Sequence, residues 1–143
     1  MSLSIRNRIP GTVTSVTAGE AMSTVKVRLA GGQDITAAIT TDAVTDLGIA
    51  EGTAVKALVK STEVSLATAP VEGISIRNQI AGTVTDVATD VATGGAMGSV
   101  KVDVEGGELT AAITKEAVEA LGLTAGTSVV ALIKSTEVSL ATA

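Results

Sequence analysis

The chain is written twice. Ser4-Ile5-Arg6-Asn7-Arg8-Ile9-Pro10-Gly11-Thr12-Val13-Thr14 returns as Ser75-Ile76-Arg77-Asn78-Gln79-Ile80-Ala81-Gly82-Thr83-Val84-Thr85, and Lys60 to Ala69 returns unchanged as Lys134 to Ala143. Between these blocks, Ala37-Ala38-Ile39-Thr40 matches Ala111-Ala112-Ile113-Thr114, and Leu47-Gly48-Ile49 matches Leu121-Gly122-Leu123. The second copy has extra residues around Asp90 to Gly94 and one fewer near Leu109, as surface loops tolerate. Two copies are too few for a solenoid, whose units bury their faces only against several neighbours. The expectation is therefore a small closed domain over residues 1–69, a linker at 70–74 and a second domain over 75–143.

Within a copy the periodicity is that of strands. Val25, Val27 and Leu29 alternate with Lys26 and Arg28, and Val100, Val102 and Val104 alternate with Lys101 and Asp103. Gly31-Gly32 and Gly106-Gly107 turn the chain into a third strand ending at Thr40 or Thr114. A short helix follows, capped by Thr114 with Ala117, Val118 and Leu121 inward and Gly122 as its stop; Thr40 or Thr41 and Gly48 repeat this in the first copy. Two more strands are predicted at Ala54 to Lys60 and Thr62 to Ala67. The long first strand is predicted to bulge at Pro10-Gly11 and Ala81-Gly82, where small or φ-restricted residues suit one. Three strands, a helix and two strands is the order of a five-stranded Greek-key OB barrel. The fold class expected is all-β with one short helix per domain: two tandem OB-type five-stranded Greek-key barrels.

Such a unit is small. A domain of about 65 residues buries only about 60% of its unfolded surface, and here the core must be filled without a single Phe, Tyr, Trp or Cys. Packing of copy on copy and chain on chain is expected to supply the missing burial, which predicts an obligate homo-oligomer.

The same absences narrow function. With no His and no Cys, the chain lacks the side chains for thiolate or imidazole zinc sites, Cys nucleophiles and His acid–base work, so it reads as non-enzymatic and without a cofactor. Ten Lys and Arg stand against fifteen Asp and Glu, a formal charge of −5. An acidic chain without aromatic stacking platforms is a poor nucleic-acid binder. Mean hydropathy is positive, yet no apolar run approaches the roughly 18 residues of a spanning helix. Arg6 and Arg8 interrupt any apolar core of a signal peptide, leaving the cytoplasm as the default location and no membrane partner.

Six of the ten cations recur at matching places: Arg6 with Arg77, Lys26 with Lys101, and Lys60 with Lys134. Lys26 and Lys101 alternate with core residues and read as a solvated face. Arg6, Arg77, Lys60 and Lys134 sit among small hydrogen-bonding residues, the setting an oxyanion requires. On the residues alone this stands level with the reading that they are surface charges at strand ends, with Glu63 and Glu137 available to pair with the lysines. First-turn N–H groups at 41–43 and 115–117 offer further anion donors, unless Thr40 and Thr114 merely cap their helices. Gly94 to Gly98 lacks the Lys-Ser/Thr ending of a phosphate loop and reads as a hairpin loop. Asp42 with Asp46 and Glu116 with Glu119 read as solvated helix charge.

Ser-Ile-Arg-Asn followed by Gly-Thr-Val, then Ala-Ala-Ile-Thr, Leu-Gly-Ile/Leu and the closing Ala-Leu-Val/Ile-Lys-Ser-Thr-Glu-Val resemble the Mop domain, a small OB-type molybdate-binding module. The resemblance covers nearly all of both copies. It implies tandem Mop domains that bind molybdate, and tungstate with it, for intracellular storage or homeostasis, or as a molybdate-responsive module acting on a partner protein. The oxyanion is implied to lie at domain or subunit interfaces with no protein bond to the metal. Carried over position by position, the Ser-x-Arg-Asn motif gives Ser4, Arg6, Asn7, Ser75, Arg77 and Asn78. The Lys-Ser motif gives Lys60, Ser61, Lys134 and Ser135, and the helix starts give backbone donors at Ala43 and Ala117. Trimeric assembly is implied as well, with on-axis sites that threefold symmetry allows.

Overall fold

The computed structural model describes residues 3–89 and 95–142. In the first copy the elements are β1 (Asn7–Ala18), β2 (Met22–Leu29), β3 (Asp34–Thr40), α1 (Thr41–Leu47), β4 (Ala54–Val59), a 3-10 turn (Ser61–Glu63) and β5 (Ser65–Ala67). The second copy repeats them as β6 (Asn78–Thr89), β7 (Met97–Val104), β8 (Gly107–Thr114), α2 (Lys115–Ala120), β9 (Ser128–Ile133), a second 3-10 turn (Ser135–Glu137) and β10 (Ser139–Thr142). The order expected from sequence is met, and so is the alternation: in β2 every second residue from Ser23 to Leu29 is buried. Thr40 and Thr114 are the helix caps, and Gly48 and Gly122 follow at φ 63° in the left-handed region. The extra residues at Asp90 to Gly94 lie outside the described residues; of the expected Gly94 to Gly98 loop, Met97 and Gly98 already belong to β7.

Three expectations are corrected. First, the copies are not separately closed. The two five-stranded sheets have the orders β10-β4-β1-β2-β3 and β5-β9-β6-β7-β8. Each copy therefore hands its last strand to the other. Leu140 of β10 lies opposite Ala57 of β4, and Leu66 of β5 lies opposite Ala131 of β9. The second correction lies just before the exchanged strand: residues 62 and 63, expected in a strand, belong to the 3-10 turn after Lys60. The final strand is thereby cut to Ser65–Ala67. Val64 and Val138, just beyond the two turns, are each 2% exposed, and one continuous apolar cluster runs through both copies. Copy-on-copy burial is achieved by exchange.

Third, the bulges lie at Thr14 and Thr85, where the registers with β2 and β7 slip, and not at Pro10-Gly11 and Ala81-Gly82. The Thr14 and Thr85 hydroxyls each donate to the carbonyl across the bulge, Lys26 and Lys101, at 3.3 Å. Gly11 and Gly82 answer a different need. A Cβ on either would come within 2.7 Å of the backbone oxygen of Arg28 or Asp103, so glycine permits close strand approach there.

Two further links join the copies. Asn7 Nδ2 donates to Thr110 O at 2.9 Å and Thr110 N donates to Asn7 Oδ1 at 2.7 Å; Asn78 makes the same pair of bonds to Thr36, both at 2.8 Å. Each asparagine amide acts as one residue of an extra strand laid on the other copy's third strand. The turns between second and third strands also meet, at Gly31 and Gly106, where a Cβ on Gly31 would overlap the backbone of Glu105.

Candidate functional site

Asn7 pairs with Val59 and Asn78 with Ile133 at the ends of two strand pairs, and the recurring cations Arg6, Lys60, Arg77 and Lys134 each adjoin one of these four residues in the chain. All four cations are exposed. Ser61 and Ser135, half-buried, open the two 3-10 turns directly after the lysines, while Ser4 and Ser75 stand exposed in the segments leading into β1 and β6. The rival pairing of these lysines with Glu63 and Glu137 is not made: among the described residues the ion pairs are Arg28–Asp34 at 3.1 Å and Lys115–Glu119 at 4.0 Å. Asp34 holds Arg28 above its ordinary pKa through a hydrogen bond and its charge. Among the described residues, no carboxylate pairs with Arg6, Lys60, Arg77 or Lys134.

Strand exchange makes each constellation composite. The first 3-10 turn packs on β8 of the second copy, and the second packs on β3 of the first. A cavity at this second seam is lined by Met22, Thr40 and Ala43 from one copy and by Thr136, Ser139 and Leu140 from the other. Of the expected site residues only Ala43 lines it; Lys134 and Ser135 precede the lining residue Thr136 in the chain. Thr136 and Ser139 were not among the residues singled out from sequence. The signal was present, since Lys-Ser-Thr-Glu-Val-Ser recurs unbroken through both positions.

Four expected donors are engaged otherwise. The Ala43 and Ala117 N–H groups donate to the cap hydroxyls of Thr40 and Thr114 at 3.2 and 3.1 Å. An anion at either helix start must displace or share that hydroxyl. Asn7 and Asn78 are 1% and 3% exposed with oxygen and nitrogen both bonded to the opposite copy. Their structural role as interface links went unrecognised in sequence because their partners, Thr110 and Thr36, offer only backbone groups.

A larger cavity lies between the linker and the β6–β7 face, lined by Pro70, Ala81, Asp103, Glu105 and Val130 among others. Its two carboxylates repel an anion. Cations and hydroxyl donors recurring at two seams related by the internal repeat are groups suited to a compact anion. Among the described residues no helix is long and apolar enough to cross a membrane, and no cluster of three or more carboxylates could hold a metal ion.

The TOBE domain model matches residues 3–66 and again 74–140. The molybdenum-pterin-binding protein MopB of Rhodobacter capsulatus is 41% identical over 96% of this chain and 50% of its own length. Molybdenum-pterin-binding protein 3 of Clostridium pasteurianum is 41% identical over 46% of this chain and 97% of its own. The chain spans about half the length of the first relatives it matches. Among solved structures, the cytoplasmic molybdate-binding protein ModG with molybdate bound superposes with a TM-score of 0.92 at 36% identity, covering 100% of both chains.

Proposed function

The chain belongs to the TOBE-domain family as a tandem, Mop-type member, and on that premise we propose that it binds molybdate reversibly and without catalysis, for storage or homeostasis of molybdenum in the cytoplasm. The observation that carries this reading is the recurrence, in both copies, of an Arg and a Lys-Ser turn at the end of one strand pair, the turn packing on the other copy. Arg6 with Lys60 and Ser61 forms one half-site, Arg77 with Lys134 and Ser135 the other. The two cations offset the charge of a tetrahedral dianion, and hydroxyls of the serines and of Ser4 and Ser75 complete its donor shell. Tungstate, of the same shape and charge, is held by the same groups. Ser4, Ser75 and the two arginines face solvent, and a homotrimer completes the half-sites by covering them. We take residues 1–69 and 75–143 as the duplicated units, joined by 70–74, although each folded sheet borrows a strand from the other unit.

Calorimetric titration with molybdate, tungstate and sulfate tests the reading. Heat with the first two and a matching rise in melting temperature are expected. No heat and no thermal shift with molybdate at millimolar concentration would overturn it.

A further inference from the structure

The cations that do not recur in the second copy are gathered on one surface. Arg8, Arg28 and Lys56 all lie on the outer face of the β4-β1-β2 part of the first sheet. Arg28 lies opposite Thr12 and Lys56 opposite Pro10, and Arg8, Pro10 and Thr12 are alternate, exposed residues of β1. Lys26 is exposed two residues before Arg28. Strands β1 to β4 thus carry four cations and one carboxylate, Asp34, which is paired with Arg28.

The matching face of the second copy has the opposite sign. Gln79, Asp103 and Val130 stand where Arg8, Arg28 and Lys56 stand in the first. Strands β6 to β9 carry one cation, Lys101, against three carboxylates, Asp86, Asp103 and Glu108, and Glu105 lies in the turn between β7 and β8. These four carboxylates are exposed, and among the described residues none is paired. Asp103 and Glu105 line the cavity of about 690 Å³ that Pro70 and Val130 line as well.

A cavity that combines apolar lining with carboxylates suits a lysine, whose methylene stem covers apolar surface while its ammonium stays with the charges. Lys56 is exposed and, among the described residues, has no carboxylate partner. No ion pair joins the two faces within the chain among those residues either. The complementarity is therefore free to be met by another molecule that carries both faces.

We propose that the cationic face of one chain, led by Lys56, docks on the acidic cavity face of a second copy of the chain, at Asp103 and Glu105. A contact between unlike faces is heterologous, so it repeats head to tail. Neither face carries a half-site residue; the contact is additional to the assembly that covers the half-sites, and it does not rest on molybdate binding. It joins exposed charges against a net charge of −5 on each chain, so it is weak, and it fills at high protein concentration rather than in dilute binding or unfolding titrations.

Sedimentation equilibrium over a rising concentration series tests this, read by refractive index because the chain has no aromatic residue. The average mass of the wild-type protein should climb with concentration, and salt raised from about 0.1 M to 0.5 M should suppress the climb. Lys56→Glu and Glu105→Lys should each lower the association constant by at least about twofold. The double variant, Lys56→Glu with Glu105→Lys, should recover the wild-type value, because each reversed charge again meets its opposite on the neighbouring chain. Circular dichroism confirms that each variant is folded. A wild-type mass that stays constant across the series overturns the proposal, as does a double variant no stronger than the single ones. Polylysine binding to a wild-type protein that does not self-associate would likewise overturn it, and would assign the acidic face to a basic partner of another kind. Molybdate titration of the dilute protein is a separate measurement, so failure of the function and failure of this contact are read independently.

Discussion

The two copies agree wherever the exchange or the half-sites depend on them, and differ wherever the chain around them differs. Arg6 and Arg77, Lys60 and Lys134, Asn7 and Asn78, and the helix caps are matched in sequence and in placement. Arg8 and Gln79 are not, because they hold different segments. Arg8 donates to the carbonyls of Ile5 and Leu3 at 3.0 and 2.9 Å, while Gln79 brackets the linker at Val71 through 3.1 and 2.8 Å bonds. Lys56 and Val130 diverge for a related reason. Ala69 and the linker residue Pro70 line the cavity over Val130, which is 7% exposed, whereas Lys56 is exposed. Gln33, the residue missing from the second copy, reaches Ala81 N at 3.2 Å and Ala81 O at 3.4 Å. Pro10, the counterpart of Ala81, has no N–H with which to receive such a contact. Duplication supplied two equal units, and the linker and one turn made them unequal.

The largest effects are expected where the copies are most alike, at the asparagine links. Asn7→Ala leaves the Thr110 N–H and C=O without partners in a largely buried setting, and Asn78→Ala does the same to Thr36. Each should cost about 1–3 kcal/mol of stability. Because the two links have the same form, the two losses should match closely in urea unfolding, and unfolding should remain a single transition because the copies share strands and core. Two separate transitions in either variant, or a loss from one alone, would break the equivalence.

That equivalence could be read only partly from the sequence. The repeat was legible because its blocks recur nearly unchanged, and the period-two strands, the capped helices and the order of elements along the chain because each depends on neighbours within about ten residues. The exchange was not. Lys60 to Ala69 and Lys134 to Ala143 are identical, so Leu66 or Leu140 meets an alanine of the fourth strand whether it pairs with its own copy or with the other. No pattern of side chains distinguishes these pairings, and a three-residue turn inside a run of Ser, Thr and Glu carries little periodic signal. The same gap hid the asparagine links, whose partners are backbone groups in the other copy. The cations and serines proposed for the half-sites were legible as a repeated motif, and so were Thr40 and Thr114 as the caps that accept from the Ala43 and Ala117 N–H groups.

An intermediate effect is expected on binding. Replacing both Arg6 and Arg77 by Ala removes one unneutralised cation from each half-site and should weaken molybdate binding by more than about tenfold, roughly 1.4 kcal/mol or more. Lys26→Ala, on the outer face of β2, should leave binding unchanged by the same titration. The single variants sharpen the comparison: each should impair one class of site and spare the other. Equal loss at both classes from Arg6→Ala alone would mean that the half-sites are not independent.

The smallest effect tests the clearest electrostatic difference between the copies. Across β2 and β3, Arg28 lies opposite Asp34 and pairs with it at 3.1 Å. At the matching point of β7 and β8, Asp103 lies opposite Glu108, two like charges directly across a strand pair. Asp103→Arg converts the second arrangement into the first and should stabilise the chain by about 0.2–1 kcal/mol, the range for a favourable cross-strand pair. Both groups are exposed, so the gain should fade as salt rises. Arg28→Asp should impose the reverse change on the first copy and cost a similar amount. Neither position lies in a half-site, so molybdate titration should be unaffected while urea midpoints move in opposite directions. If Asp103→Arg fails to stabilise even at low salt, the acidic turn at Asp103, Glu105 and Glu108 is not under electrostatic strain, and the linker cavity it borders must relieve that repulsion through solvent.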